Sequence, residues 1–155
     1  MKLVQGDFSA GWPLFEARWT VPALGNQRRY PQLPQWLGQA PLAGKNILLY
    51  AEQGLGDTLQ FCRYVPVLQA MGATVSLAVQ APLVSLLRDQ WPGVVVAESF
   101  ADLTAFDWAT PLMSLPLALG TRLETMPSAP YLHAPAGAVA VASRVRPHIG
   151  LIWSG

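Results

Sequence analysis

Cysteine and charged residues are both scarce in this 155-residue sequence, and each scarcity excludes a class of protein. With a single cysteine, Cys62, the chain can form no internal disulfide and no cysteine-based metal cluster. Charged residues make up 12% of the chain and the net charge is +1, which gives no basic surface for nucleic acid. We therefore expect no nucleic-acid partner, and we interpret Cys62 as a small buried apolar residue within a helix.

Hydrophobic runs of membrane-spanning length are missing as well. Hydrophobic residues make up 52% of the chain, yet no run approaches the ~18 apolar residues that a spanning helix needs. The short apolar stretch at the start is followed by Asp7, which does not suit a signal peptide. We expect a cytoplasmic protein with no membrane span. Its low charge indicates that part of its surface is made for a partner.

Strand and helix patterns alternate along the centre of the sequence. Residues 46–51 form an apolar run typical of a strand covered on both faces, and residues 57–71 favour a helix that Pro66 kinks and Gly72 ends. This alternation predicts an α/β fold with a doubly wound, mostly parallel, Rossmann-like sheet. Further strands are predicted at 74–79, 94–96 and 106–112, a helix at 82–90, and one or two helical turns within 114–121.

The two ends of the chain differ from this central part. Residues 8–19 carry aromatic side chains at helical spacing and predict a short amphipathic helix, which a proline-containing connector follows up to residue 44. We expect Trp36 to pin that connector to the domain. Three units result: an N-terminal helix and connector at 1–44, the α/β domain at 45–147, and at 148–155 the first strand of a further domain. That last strand should add to a sheet edge.

The glycine loop after the first strand does not match a dinucleotide-binding fingerprint. Gly54 and Gly56 are present, but the third glycine position is Leu59, and residues 74–87 contain no acidic residue to hold a ribose. An oxidoreductase is therefore disfavoured.

Acidic residues flank this loop and are the candidates for chemistry. Asp57 either caps the following helix or, at the carboxyl edge of a parallel sheet, accepts a proton from an attacking hydroxyl. Glu52 either shares that cleft or pairs with Arg63 as part of the structure. Arg63 and Tyr64 themselves are expected to pack and to form salt bridges.

Four blocks of the sequence resemble bacterial glycosyltransferases that are associated with tetratricopeptide repeats and related to heptosyltransferases and O-linked GlcNAc transferases. The strongest block, LLYAEQGLGDTLQFCRYVP, contains the Leu-Gly-Asp element whose aspartate corresponds to Asp57. The other blocks are GDFSAGWPLFEARW near the start, PLMSLP with LGT after the predicted fourth strand, and GLIWSG at the end.

The resemblance implies the N-terminal, acceptor-side half of a GT-B enzyme built from two Rossmann-like halves. Residues 1–44 would then end a helical-repeat region, and the donor-binding half would begin at 148. Asp57 is the implied catalytic base, and no cofactor or metal is assigned. Leu117 departs from the family, since a polar or basic residue is expected after that proline. The expected substrate-binding residues are Glu52, Gln53, Gly54, Leu55, Gly56, Gln60 and Ser114.

Two functions remain open at this point. The first is transfer of a sugar from a nucleotide-sugar donor, bound by the missing half, to a hydroxyl on a protein or glycan acceptor, with the isolated chain inactive. The second is a non-catalytic protein-interaction module derived from such a domain, which would self-associate through its exposed interdomain surface.

Overall fold

A four-stranded, all-parallel sheet forms the centre of the fold in the computed structural model, which describes residues 2–21 and 27–134. The strand order is β3-β2-β1-β4, so the chain moves outward from β1 to β3 and then returns to the other side of β1. The α/β class and the parallel sheet are thereby confirmed, whereas the strand expected at 148–155 lies outside the described residues. The strands are β1 Asn46–Tyr50, β2 Thr74–Ala78, β3 Val95–Ala97 and β4 Trp108–Pro111.

The two central strands are buried on both faces, as their sequences predicted. Ile47 to Tyr50 are wholly buried, and alternate side chains of β1 enter two hydrophobic clusters on opposite faces of the sheet. Because both faces are covered, β1 carries apolar residues at every position after Asn46. The fourth strand is shorter than predicted, since Asp107 precedes it and accepts a hydrogen bond from the Asn46 N–H with its carboxylate.

The helices differ from the prediction mainly in the segment after β1. One helix was predicted over 57–71, but the chain forms two, separated by a 3₁₀ turn at Cys62–Tyr64 just before Pro66. The prediction that Asp57 is the N-cap is wrong, because Gly54 caps the helix and Asp57 lies three residues later. The helices are α1 Phe8–Phe15, α2 Leu55–Phe61, α3 Val65–Ala70, α4 Ala81–Leu87 and α5 Leu115–Ala118.

The connector before β1 is irregular where it is described, and Trp36 anchors it. This side chain is buried, and its indole N–H donates to the Ala40 carbonyl at 2.8 Å. The Trp36 carbonyl accepts a hydrogen bond from the Thr110 hydroxyl, while Gln35 forms a parallel bridge with Ala109 of β4. The connector therefore extends the sheet beside β4, and the predicted role of Trp36 is confirmed.

Helix α1 packs against the same end of the domain as α5. Asp7 caps it by accepting a hydrogen bond from Ala10 N–H, and a 3₁₀ turn at Glu16–Trp19 continues it. The Trp12 indole donates to the Thr121 carbonyl at 2.9 Å, which ties the helix to residues just after α5. None of the helices in the described ranges has the length and apolarity that a membrane crossing requires.

Candidate functional site

The strand order reverses at β1, and the two segments that leave the sheet there carry polar side chains. Glu52 lies two residues after the end of β1, and Ser114 ends the 3₁₀ turn that follows β4. In open parallel sheets, ligands bind outside the carboxyl ends of the strands at such a reversal. A ligand site is therefore expected in the crevice between the ends of β1 and β4.

Arg18 occupies this crevice. Its Nε and Nη2 atoms donate to the two carboxylate oxygens of Glu52 over 3.0–3.2 Å, and Nη2 also donates to the Ser114 hydroxyl at 2.7 Å. Nη1 donates to the Phe15 carbonyl and to the carboxylate of Glu16, which in turn accepts from the Ser114 hydroxyl. One guanidinium thus joins the N-terminal segment to the ends of β1 and β4.

The Arg18 guanidinium is enclosed by aromatic rings as well as by polar groups. Its central carbon lies 4.6 Å from the ring centres of both Phe15 and Trp19. The side chains of Arg18 and Glu52 are only 3% and 5% exposed, and that of Glu16 is 18% exposed. Two carboxylates around one guanidinium leave this network with an excess negative charge when both are ionised.

Two of the predicted substrate contacts therefore have partners within the chain. Glu52 pairs with Arg18, so the alternative prediction of a Glu52–Arg63 ion pair is wrong. Ser114 is fully buried between Arg18 and Glu16. Sequence reasoning missed Arg18 and Glu16 as members of this network, although an arginine between two aromatic residues of a helix was a visible signal.

Arg63 lies in the 3₁₀ turn after α2 and has a different environment. Its guanidinium lies 5.0 Å from the centre of the Tyr131 ring and donates to the carbonyls of Gln60 and Pro127. Tyr131 in turn donates its hydroxyl to the Leu59 carbonyl. Arg63 thus fastens the segment after α5 to α2 by packing and by hydrogen bonds to neutral carbonyl oxygens.

Asp57 lies in the first turn of α2, beside the same strand end. Its Oδ2 atom accepts a hydrogen bond from the Gly54 N–H at 3.0 Å, which fixes the carboxylate against the loop. A carboxylate at this position also meets the positive end of the helix dipole. Asp57 is partly exposed, in contrast to the buried Glu52.

The remaining predicted contacts form an exposed surface next to Asp57. Gln53, Gly54, Leu55 and Gly56 are all exposed, and Leu55 holds 44% of its surface in solvent. A Cβ atom built at Gly56 would meet nothing within 4 Å. Gln60 is exposed one turn further along α2. The structure therefore brings these residues together with Asp57 at one open surface.

Gln80 lies at the end of the segment after β2, and its side chain forms hydrogen bonds to the loop after β1 and to α2. Its side-chain amide donates to the Gln53 carbonyl at 2.8 Å and accepts from the Thr58 hydroxyl at 2.9 Å. Thr58 is a buried residue of α2. Loop and helix are thus attached to β2, and Gln80 was not anticipated from the sequence.

Burial governs the pKa values of the groups around β1. Desolvation raises the pKa of Glu52 above its ordinary value, and this outweighs the opposing effect of Arg18. Desolvation also raises the pKa of Tyr50 and that of the Cys62 thiol to about 12. A thiol that stays protonated is a poor nucleophile, which agrees with Cys62 as a packing residue.

Replacing Glu52 by glutamine should change the pH dependence of stability in a defined direction. Because the folded-state pKa of Glu52 is raised, its contribution is fully present below pH 4.5 and is lost as the pH rises through the folded-state value. The stability advantage of the wild type over Glu52→Gln should therefore shrink as the pH rises from below 4.5 toward neutral. Denaturant unfolding of both proteins across this range measures it, and an advantage that grows with pH would contradict a raised pKa for Glu52.

Over residues 2–21 and 27–134, no group of three or more His, Cys, Asp or Glu side chains is arranged to hold a metal ion. Concave surface lies around α1 and also between the connector and α5. One cavity of about 340 Å³ is lined by Lys2, Leu3, Gly11, Leu14 and Phe15.

Comparison with known proteins gives one similarity of limited extent. Protein FlbA of Caulobacter vibrioides is 37% identical over 99 residues, which cover 61% of this chain and 16% of FlbA. The chain thus spans less than a fifth of that relative's length. No protein-family model matches the chain, and no solved structure matches it.

Proposed function

We propose that this chain supplies the acceptor side of a glycosyltransferase of the GT-B type, which transfers a sugar from a nucleotide-sugar donor to a hydroxyl. The observation that supports this most directly is the position of Asp57. It is a partly exposed carboxylate beyond the carboxyl end of β1, next to residues 53–56, which are all exposed. The resemblance of the Leu-Gly-Asp element to the corresponding element of heptosyltransferases supports the same assignment.

The carboxylate of Asp57 is suited to act as a general base. Among the described side chains and loops, its hydrogen-bond partner is the Gly54 N–H, and that bond engages Oδ2. The other oxygen, Oδ1, takes the proton of the acceptor hydroxyl as that oxygen attacks the anomeric carbon. The bond from the anomeric carbon to the phosphate oxygen breaks, and the nucleotide leaves with the bonding electrons.

Donor binding is assigned to a second domain. Developing charge on the leaving phosphates requires cationic or hydrogen-bonding groups aimed at them, and the carboxylates of Asp57 and Glu52 would repel those phosphates. This chain alone is therefore expected to give no transfer with any sugar nucleotide.

The test compares this chain with a longer protein that carries the same residues together with a donor-binding half. Release of free nucleotide from a panel of sugar nucleotides should be absent with the chain alone and present with the longer protein and a hydroxyl acceptor. Turnover by the isolated chain would contradict the division of roles, and inactivity of both proteins over the whole panel would contradict the transferase.

A non-catalytic interaction module is the second candidate, and one observation favours it. Val4 and Leu14 are 75% and 63% exposed, and Leu14 borders the apolar cavity beside α1. Exposed apolar surface of this kind is typical of contact sites. Sedimentation of the chain over a concentration series separates the candidates, because an interaction module of this type should self-associate while an acceptor-binding half need not.

A further inference from the structure

The N-terminal segment contributes the most completely enclosed charged side chain of the carboxyl edge. Arg18 is separated from Glu52 by 34 residues and from Ser114 by 96, yet it bonds directly to both. Glu52 belongs to the end of β1, and Ser114 belongs to the turn after β4. A side chain from outside the sheet thus connects the two strand ends at which the strand order reverses.

The surroundings of the Arg18 side chain match the shape and donors of a guanidinium group. Planar Nε and Nη2 donors face the two oxygens of Glu52, and the faces of the group lie near the rings of Phe15 and Trp19. A lysine ammonium could supply the charge but neither the paired donors nor the flat stacking surface. Shape and charge therefore select arginine here.

We propose that the turn Glu16–Trp19 closes the crevice between β1 and β4, and that Arg18 is the positioning residue that fixes the loop from Glu52 to Asp57. Glu52 begins this loop and Arg18 holds it, while the Gly54 N–H to Asp57 bond holds the other end. The N-terminal segment is then an integral part of the α/β domain. This inference goes beyond the proposed transferase and does not depend on it.

Closure of the crevice also determines where a ligand of this edge can bind. Glu52 and Ser114 face Arg18, and their polar atoms lie inside the network. Gln53, Gly54 and the first residues of α2, including Asp57, lie outside it. A ligand therefore meets the loop and Asp57, whereas Glu52 and Ser114 act on the ligand only through the position of that loop.

Chemical rescue tests the proposal. Arg18→Ala leaves two carboxylates and two aromatic faces without their guanidinium, and its unfolding midpoint should fall by about 10 °C. Ethylguanidinium at millimolar concentration should bind in the vacated space and recover part of the loss, whereas ethylammonium should not. The wild type should respond to neither compound. No recovery with ethylguanidinium, or equal recovery with both compounds, would overturn the assignment of a guanidinium-specific site.

Lys45→Ala provides the matched control. Lys45 forms an ion pair with Asp107 at 2.9 Å, but at the amino end of β1 and with 48% of its side chain exposed. Exposed pairs of this kind contribute little, so its midpoint should shift by no more than about 2 °C and ethylguanidinium should not change it.

Amide hydrogen exchange provides the second measurement, on the milder variant Arg18→Lys. Exchange of the Gly54 amide, which donates to Asp57, should accelerate by about tenfold or more relative to exchange at β2, because the loop loses its anchor while the sheet remains. Lys45→Ala should leave the ratio unchanged. Equal acceleration of loop and sheet would show that Arg18 contributes only to global stability, and no change in the loop would show that it does not position Asp57.

Discussion

Asparagine in place of Asp57 should lower kcat by about 10²- to 10⁴-fold in a protein that joins this chain to a donor-binding half. The substitution removes the basic carboxylate and retains an amide oxygen, which can still accept from the Gly54 N–H. Helix α2 therefore keeps its first-turn hydrogen bond, and the unfolding midpoint should stay within about 2 °C. Turnover at saturating acceptor, measured with both proteins, gives the change in kcat.

Asp107→Asn is the matched control for this experiment. Asp107 also accepts a backbone N–H, from Asn46 at 2.8 Å, but it lies at the amino end of the sheet. Its replacement should leave kcat unchanged. If Asp57→Asn retains the wild-type kcat, Asp57 serves only to hold the start of α2, and the proposed base must be sought elsewhere.

The arrangement of the sheet was accessible from the sequence because burial and chain connectivity both leave a pattern. A strand covered on both faces needs apolar residues throughout, and 46–51 show this directly. The start of α2 was placed less well. Asp57 is a favourable N-cap by type, but the chain already turns at Gly54, so the aspartate bonds backward to the cap from inside the helix.

The network around Arg18 could not be derived from spacing. Its members come from the N-terminal turn, from the end of β1 and from the turn after β4, and only the folded sheet brings them together. Along the chain, Arg63 is nearer to Glu52, and an ion pair between them was one of the two alternatives predicted for Glu52. The Arg63 guanidinium instead lies over the ring of Tyr131. The two residues are 68 positions apart in the sequence, so spacing does not indicate their contact.

The backbone contact between the connector before β1 and α5 could not be derived from sequence spacing either. Gly38 has a φ of +91°, and a Cβ atom added there would lie well inside contact distance of the Ala118 carbonyl oxygen on α5. Position 38 therefore requires glycine for two reasons, the left-handed backbone conformation and the close approach of the Ala118 carbonyl. Gly44 has a φ of +70° but nothing within 4 Å of its added Cβ.

Gly38→Ala should consequently destabilise the protein far more than Gly44→Ala. Both variants place a side chain in the left-handed region, which costs about 1–2 kcal/mol, and Gly38→Ala adds overpacking against a backbone carbonyl at about 1–3 kcal/mol. At about 3 °C per kcal/mol for a chain of this length, the unfolding midpoint should fall by about 6–15 °C for Gly38→Ala and by about 3–6 °C for Gly44→Ala. Thermal unfolding of both variants at one protein concentration measures the difference. Equal shifts would mean that the connector moves away from α5 at little cost, and the anchoring of Trp36 would then not depend on that contact.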